Sequence, residues 1–424
     1  MPTDLPRSGP LNVALLGLGT VGAQVARQLL DPLSHVASSG RLRLVAVGIR
    51  DPDRARGVDL PPEVERTADL LALIERDDVD VVVELIGGLD LAGSLVERAL
   101  RRGRSVVTAN KALLARRGAE LEALARESGA SLRFEASVGG GIPILGPLAR
   151  DLAADRIRSI RGIVNGTTNY ILSAMADAGR DYGAVLADAQ AKGYAEADPS
   201  GDVEGRDAAD KLAILVRLAF GMWPEVTSIR RAVPEVQGDA PPGITGVQAE
   251  ELVGAAELGL VLKLLAEASR SEANGSPPNA SVVTSAVPHG SPLGRTGGVT
   301  NIIALDAEPL GSVSFRGPGA GGPASGSAVL GDLLAIANGE GSTWGALPPA
   351  PPASGPMGDG MAGRRRWFLW TDQLGGDLPV RVLNLVEERS GRALLTRPVS
   401  LDGLRRVLDD AGVSSALYPV VEDA

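Results

Sequence analysis

Short apolar runs alternate with amphipathic stretches along the N-terminal part of this chain. LNVALL (residues 11–16) is such a run, and TVGAQVARQLL after it reads as an amphipathic helix. LRLVAVGIR, ending at Arg50, VDVVVELIGG (79–88) and the stretch Ser105 to Thr108 repeat the apolar run. Strands that alternate with helices predict a parallel sheet. Past Arg133 the rhythm changes. FEASVGGGIPIL predicts a bent glycine-rich loop, and GIVNGTTNYIL predicts a strand, a turn at Asn165–Gly166 and a helix capped by Thr167 or Thr168. The apolar stretch EELVGAAELGLVLKLLAEAS (250–269) predicts a helix with Lys263 on its surface, and SEANGSPPNA (271–280) a surface loop. From 339 to 362 the chain turns to Gly, Pro, Ser and Ala, the composition of a flexible linker. After it, strands near 367–371, 393–397 and 415–421 and a helix at 401–411 predict a small α/β module.

The turn between the first strand and its helix has GxGxxG spacing: Gly17, Leu18, Gly19, Thr20, Val21, Gly22. Gly17 allows the tight turn, Gly19 lets backbone approach a pyrophosphate, and Gly22 allows close packing of helix on strand. The helix N-terminus adds amide donors and partial positive charge. The motif alone is weak, but here it stands in its strand–turn–helix context. It predicts a dinucleotide site. A carboxylate at the end of the second strand would favour NAD. Arg50 stands there instead, with Arg54 and Arg56 nearby, which suits the 2′-phosphate of NADP. Asp51 keeps NAD possible, and a solvated turn is the plain alternative. Ligands of open α/β sheets lie beyond the carboxyl ends of the strands. Thr108 closes one such strand and Lys111 follows it, so Lys111 should point into the cleft.

Composition narrows the chemistry. The chain has 424 residues, 44% of them apolar and 22% charged, which is globular and long enough for two or three domains. A net charge of -10 without a basic block argues against nucleic acid as a partner. There is no cysteine, which excludes disulfides, cysteine-ligated metals and thiol catalysis, including thioester-type semialdehyde dehydrogenases. The first residues lack a signal pattern and no apolar run reaches membrane-spanning length, so a soluble cytoplasmic protein is expected, with no membrane partner. His35 reads as a loop residue and His289 sits in a Pro/Gly-rich loop; neither has metal-site spacing.

The segment GYAEADPSGDVEGRDAADK concentrates the polar chemistry. It sets Glu196, Asp198, Asp202, Glu204 and Asp207 ahead of Lys211. Asp207 and Lys211 are four apart, so on a helix they share a face. A carboxylate beside a lysine can orient the amine and move a proton without histidine. A solvated acidic loop capping a helix is the plain alternative. The carbonyls of VGGGIP could converge on a hard cation.

GLGTVG, TANKALL, FEASVGGGIPI, GIVNGTTNYIL and GYAEADPSGDVEGRDAADKLAIL, in that order, resemble homoserine dehydrogenase. A weaker block, GPGAGGPASGSAVLGDLL, follows at 317–334. The resemblance covers roughly residues 11–338. It implies an α/β fold: a Rossmann domain (1–134, completed by about 305–338), an α+β mixed-sheet substrate and dimerisation domain (135–304), a linker (339–364) and a small C-terminal module (365–424), ACT-like. It implies a monofunctional, homodimeric, NAD(P)-dependent enzyme interconverting L-homoserine and L-aspartate 4-semialdehyde. Lys211 matches the family's proton donor and acceptor, and Lys111 a second lysine at nicotinamide and substrate. Glu196 and Asp207 match substrate-binding acids, and Asp202 a further acid. Sodium or potassium is expected on main-chain oxygens of Glu135, Val138, Gly140 and Ile142. Gly321 matches a late cofactor contact; Ser325 stands where the family commonly has threonine. An ACT-like tail raises threonine as an effector. A catalytically idle nucleotide sensor is the alternative of another class, and retention of both lysines and the acids argues against it.

Overall fold

The computed structural model describes residues 9–51, 57–235, 238–239, 241–271, 275–351, 355–371, 373 and 378–422. The chain divides into two compact units. One takes the chain up to Ala154 with Ala213–Pro224 and Pro318–Gly355; the other takes Asp155–Leu212, Glu225–Gly317 and the chain from Pro356.

In the first unit, strands Leu11–Leu16, Leu42–Gly48, Glu65–Thr67, Val81–Glu84, Ser105–Thr108 and Leu132–Arg133 form one parallel sheet. Counted along the chain, their order is 3-2-1-4-5-6, that of doubly wound dinucleotide-binding folds. Val13, Leu15, Val81, Val83 and Val107 are buried because helices cover both faces of a parallel sheet. The helix Gly322–Ala337 returns to this core through Val329 and Leu333. The strands Thr300–Glu308 and Gly311–Pro318, expected near this domain's completion, lie in the other unit's sheet.

The segment 339–364 differs from the expected linker. The Thr343 amide donates to the Leu132 carbonyl at 3.1 Å, and Trp344 is buried with its ring 6.0 Å from that of Phe134. Gly358–Asp359 pairs with strand Asn279–Pro288. One buried aromatic outweighs the loose composition around it.

The second unit holds a six-stranded mixed sheet in the order Gly311–Pro318, Thr300–Glu308, Arg156–Ile163, Leu260–Ser269, Asn279–Pro288, Gly358–Asp359. The stretch 250–269 is therefore not one helix. Helix Ala249–Glu257 stops before Gly259, whose φ of +71° no β-branched or bulky residue adopts readily, and a strand begins at Leu260. Lys263, on that strand, is buried rather than on the surface. His35 opens a short helix, His35–Ser38, capped by Ser34, where a loop was expected. The end of the chain folds as β-α-β-β-α-β: Trp367–Thr371, Val380–Leu383, Val386–Ser390, Ala393–Thr396, Leu401–Ala411 and Ser415–Pro419. Its sheet is four-stranded, one strand more than the three read from the sequence. VEERS is an exposed edge strand and carries no apolar alternation.

Helix Arg206–Phe220 carries Arg217, whose guanidinium is fully buried against Glu122. Arg217 Nε donates to Glu122 Oε2 and Nη2 to Oε1, each at 2.7 Å; Trp223 Nε1 donates to Oε2 at 2.8 Å and Arg126 Nε to Oε1 at 3.0 Å. Burial alone would raise the Glu122 carboxyl. The Arg217 hydrogen bonds and charge, with Trp223 and Arg126, overcome it and leave the carboxyl below its ordinary value. A depressed native value means that this contribution to stability is present at neutral pH and is lost as pH falls through that value. Glu122→Ala leaves a buried guanidinium uncompensated and should cost about 3–5 kcal/mol at pH 7. Urea denaturation at pH 7 and under acid checks this. A variant within about 1 kcal/mol of wild type, inside the range of an exposed pair, would contradict it.

Candidate functional site

The nucleotide-binding side of the first unit is built at the carboxyl ends of its strands. Gly17 has φ of +100°, and a Cβ there would stand 2.8 Å from the Leu85 carbonyl oxygen. A Cβ on Gly22 would stand 2.1 Å from the Gly17 carbonyl oxygen, so the helix Thr20–Leu30 sits on the turn too closely for any side chain. At Gly19, by contrast, nothing lies within 4 Å of such a position. Leu18, Gly19, Thr20, Gln24 and Gly322 line a cavity at this helix start. Val21 is half-buried on the helix's first turn. Gly321, at φ +111°, caps the helix Gly322–Ala337, and the Ser325 amide donates to its carbonyl at 2.9 Å. Arg50 is exposed just beyond strand Leu42–Gly48. Arg54 and Arg56 lie outside the described residues.

Thr108 ends its strand fully buried, its hydroxyl donating to Glu84 Oε2 at 2.6 Å. Asn110 caps the next helix through the Leu113 amide, and Lys111 is that helix's first residue. The loop after Arg133 is anchored by Glu135. Its carboxylate accepts the amides of Ile144, Leu145 and Gly146 at 2.7, 2.9 and 2.7 Å. Its own amide donates to Asp332 Oδ2 at 2.8 Å. Burial pushes the Asp332 carboxyl up to about 6, against the opposing pull of Arg133.

In the second unit Asn165 gathers the predicted polar residues. Its backbone is extended, so its side chain turns back over the start of helix Gly166–Ala178, and Oδ1 accepts the Thr168 amide at 2.9 Å. Asn165 is therefore the cap, not Thr167 or Thr168. Its Nδ2 donates to Asp202 Oδ1 at 2.7 Å and to Asp207 Oδ2 at 2.8 Å. Asp207 Oδ2 also accepts Lys211 Nζ at 2.7 Å, one turn along helix Arg206–Phe220, and the same amine donates to the Val164 carbonyl at 2.7 Å. Lys211 is 8% exposed, so its charge is held in place rather than solvated. Burial, then the neighbouring Asp207, raises the Asp202 carboxyl despite the Asn165 hydrogen bond. The cluster offers an oriented amine, two acids of unequal environment and an amide that fixes their spacing.

Glu196 is exposed, with its main-chain oxygen accepting Gln190 Nε2 at 3.0 Å. His289 is exposed. Among the described residues no cluster of His, Cys, Asp or Glu could hold a metal. Three polar residues escaped the sequence reading: Glu84, Asn165 as a side-chain hub, and Lys263. Lys263 Nζ donates to Asn169 Oδ1 at 2.9 Å, and burial pulls its amine down to about 8. A charged residue ending or interrupting an otherwise apolar run was the available signal for Glu84 and Lys263.

Comparison with known proteins agrees with this geometry. Residues 17–135 match the family model "Homoserine dehydrogenase, NAD binding domain", and residues 143–334 match "Homoserine dehydrogenase". A homoserine dehydrogenase of Synechocystis is 44% identical over 77% of this chain and 73% of its own length. One from Corynebacterium glutamicum is 43% identical over 79% of this chain and 74% of its own. Among solved structures, a homoserine dehydrogenase from Thiobacillus denitrificans is 31% identical, with a TM-score of 0.83 covering 97% of this chain and 98% of that one. A hyperthermophilic archaeal homoserine dehydrogenase solved with NADPH is 26% identical, with a TM-score of 0.62 over 77% of this chain and 97% of that one. An NAD(P)-binding sheet and an acid–lysine cluster, in a chain this similar to those relatives, lead to one assignment: the chain belongs to the homoserine dehydrogenase family.

Proposed function

We propose that Lys211 is the proton-transfer group in the reaction of this family, the NAD(P)-dependent interconversion of L-homoserine and L-aspartate 4-semialdehyde in threonine and methionine biosynthesis. The observation that carries the reading is the buried amine of Lys211 fixed 2.7 Å from Asp207. In the oxidative direction Lys211 takes the proton of the C4 hydroxyl, directly or through water. In the reductive direction it returns a proton to the developing alkoxide. The nicotinamide, when bound, accepts or supplies the hydride. Asp207 and Glu196 receive the substrate's ammonium group, and Asp202 shapes the charge beside them. Lys111 serves as the second lysine on the strength of the family resemblance.

Arg50, exposed past the second strand, supports NADP as the preferred cofactor, bound through Gly17, Leu18, Gly19, Thr20, Val21, Gly22, Thr108, Lys111 and Gly321. Main-chain oxygens of Glu135, Val138, Gly140 and Ile142 would hold a sodium or potassium ion. The residues fit such an ion. The Glu135 carboxylate is engaged by backbone amides, and its main-chain oxygen accepts the Val138 amide at 3.4 Å. Among the described residues no backbone amide donates to the oxygens of Val138, Gly140 or Ile142. The enzyme works as a cytoplasmic homodimer. Among the described residues no helix is long and apolar enough to cross a membrane. Threonine acts through the C-terminal module. In support, a cavity of about 430 Å³ in the second unit is lined by Arg231, Gln248, Glu251, Trp370, Ser415 and Tyr418, and the buried Ser415 hydroxyl has no partner among the described residues.

Purified enzyme with L-homoserine should reduce NADP with a higher kcat/KM than NAD, and Lys211→Ala should lower kcat by about two to four orders of magnitude. Near-normal turnover in that variant removes Lys211 from the role, and a preference for NAD removes the reading of Arg50. L-Threonine should lower activity and give heat on titration; flat activity with no heat would contradict the effector assignment.

A further inference from the structure

Glu84 ends strand Val81–Glu84 at the carboxyl edge of the parallel sheet and is fully buried. Three hydrogen bonds satisfy this buried carboxyl group. Oε1 accepts the amides of Ile86 and Gly87 at 3.0 and 2.9 Å, and Oε2 accepts the Thr108 hydroxyl at 2.6 Å. The same Thr108 oxygen accepts the Asn110 amide at 3.0 Å. Asn110 Nδ2 reaches back to the Gly88 carbonyl at 2.7 Å, while its Oδ1 accepts the Leu113 amide at 3.1 Å. These bonds close a ring from Glu84 through the Gly87–Gly88 loop and Asn110 to Thr108 and back. The Leu85 carbonyl, inside the same loop, is what the Gly17 turn packs upon.

We propose that Glu84 is a positioning residue for the cofactor site: its carboxylate locks the Gly87–Gly88 loop to the Thr108–Lys111 turn, at the strand ends beside the dinucleotide turn. The chemistry asks for a carboxylate. Its two oxygens only accept, and here they meet two amides and a hydroxyl. A glutamine would present an amide hydrogen to the Thr108 hydroxyl, so Thr108 would have to turn away or lose its donor role. A loop freed by even an ångström at a cofactor site is costly.

The test is a double-mutant cycle between Glu84→Gln and Thr108→Val, read as the NADPH dissociation constant, the KM for NADP and homoserine, kcat, and the melting temperature. Glu84→Gln should raise the NADPH Kd by about tenfold to a hundredfold, and should raise the KM for NADP more than that for homoserine. The double variant should be little worse than the worse single one, because both break one ring. An unchanged NADPH Kd in folded Glu84→Gln, or effects of the two variants that simply add, would overturn the proposal. If Glu84→Gln does not fold, Glu84→Asp, which withdraws the charge by one methylene, is read in the same cycle against the same outcomes.

Discussion

The two hydrogens of one side-chain amide set the geometry of the polar cluster. Asp202 and Asp207 converge where like charges repel, and Asn165 gives each of them a donor while capping the helix behind it. The bridge works against their repulsion, alongside the Thr167 hydrogen bond to Asp202 and the charge of Lys211. Asp207 in turn fixes Lys211, whose other bond, to the Val164 carbonyl, returns to the residue preceding Asn165. The cluster is thus a closed circuit built on the turn between strand Arg156–Ile163 and helix Gly166–Ala178. A buried network is stiff when every member is satisfied.

The first unit uses the same device with other residues. Strand ends in a parallel sheet leave loops that no ladder hydrogen bond holds, and there Glu84, Thr108 and Asn110 supply side-chain bonds instead. Glu135 and Asp332 do this for the loop after Arg133. Rigid loops at a ligand edge come from buried side chains reaching backbone amides, more than from the glycines that give the loops their shape.

What could be read from the sequence was local. GxGxxG, the strand–turn–helix context around it and the four-residue step from Asp207 to Lys211 are short-range spacings, and each fixes a face or a turn by itself. Thr108 and Lys111 followed from a strand end. The misreadings came where tertiary burial overrides pattern. The run 260–269 is apolar on both faces because its strand is covered on both, so it looked helical, and Lys263 inside it looked exposed. The strand Val386–Ser390 was not read from the sequence because it lies exposed at a sheet edge without apolar alternation. Trp344 hid in a Gly/Pro-rich stretch, and Asn165 was passed over because a threonine two or three residues later caps equally well on paper.

The central claim is that Asn165 holds the acids, and through Asp207 the lysine, in working geometry. The most direct measurement is the pH dependence of kcat and of kcat/KM for homoserine in Asn165→Ala beside Asn165→Asp, with melting temperatures alongside. The account predicts that folded Asn165→Ala loses kcat by about tenfold or more and shifts its pH profile. It also predicts that Asn165→Asp, which adds a third acid and removes the donor, is worse. An Asn165→Ala enzyme with wild-type kcat and an unmoved pH profile would contradict it.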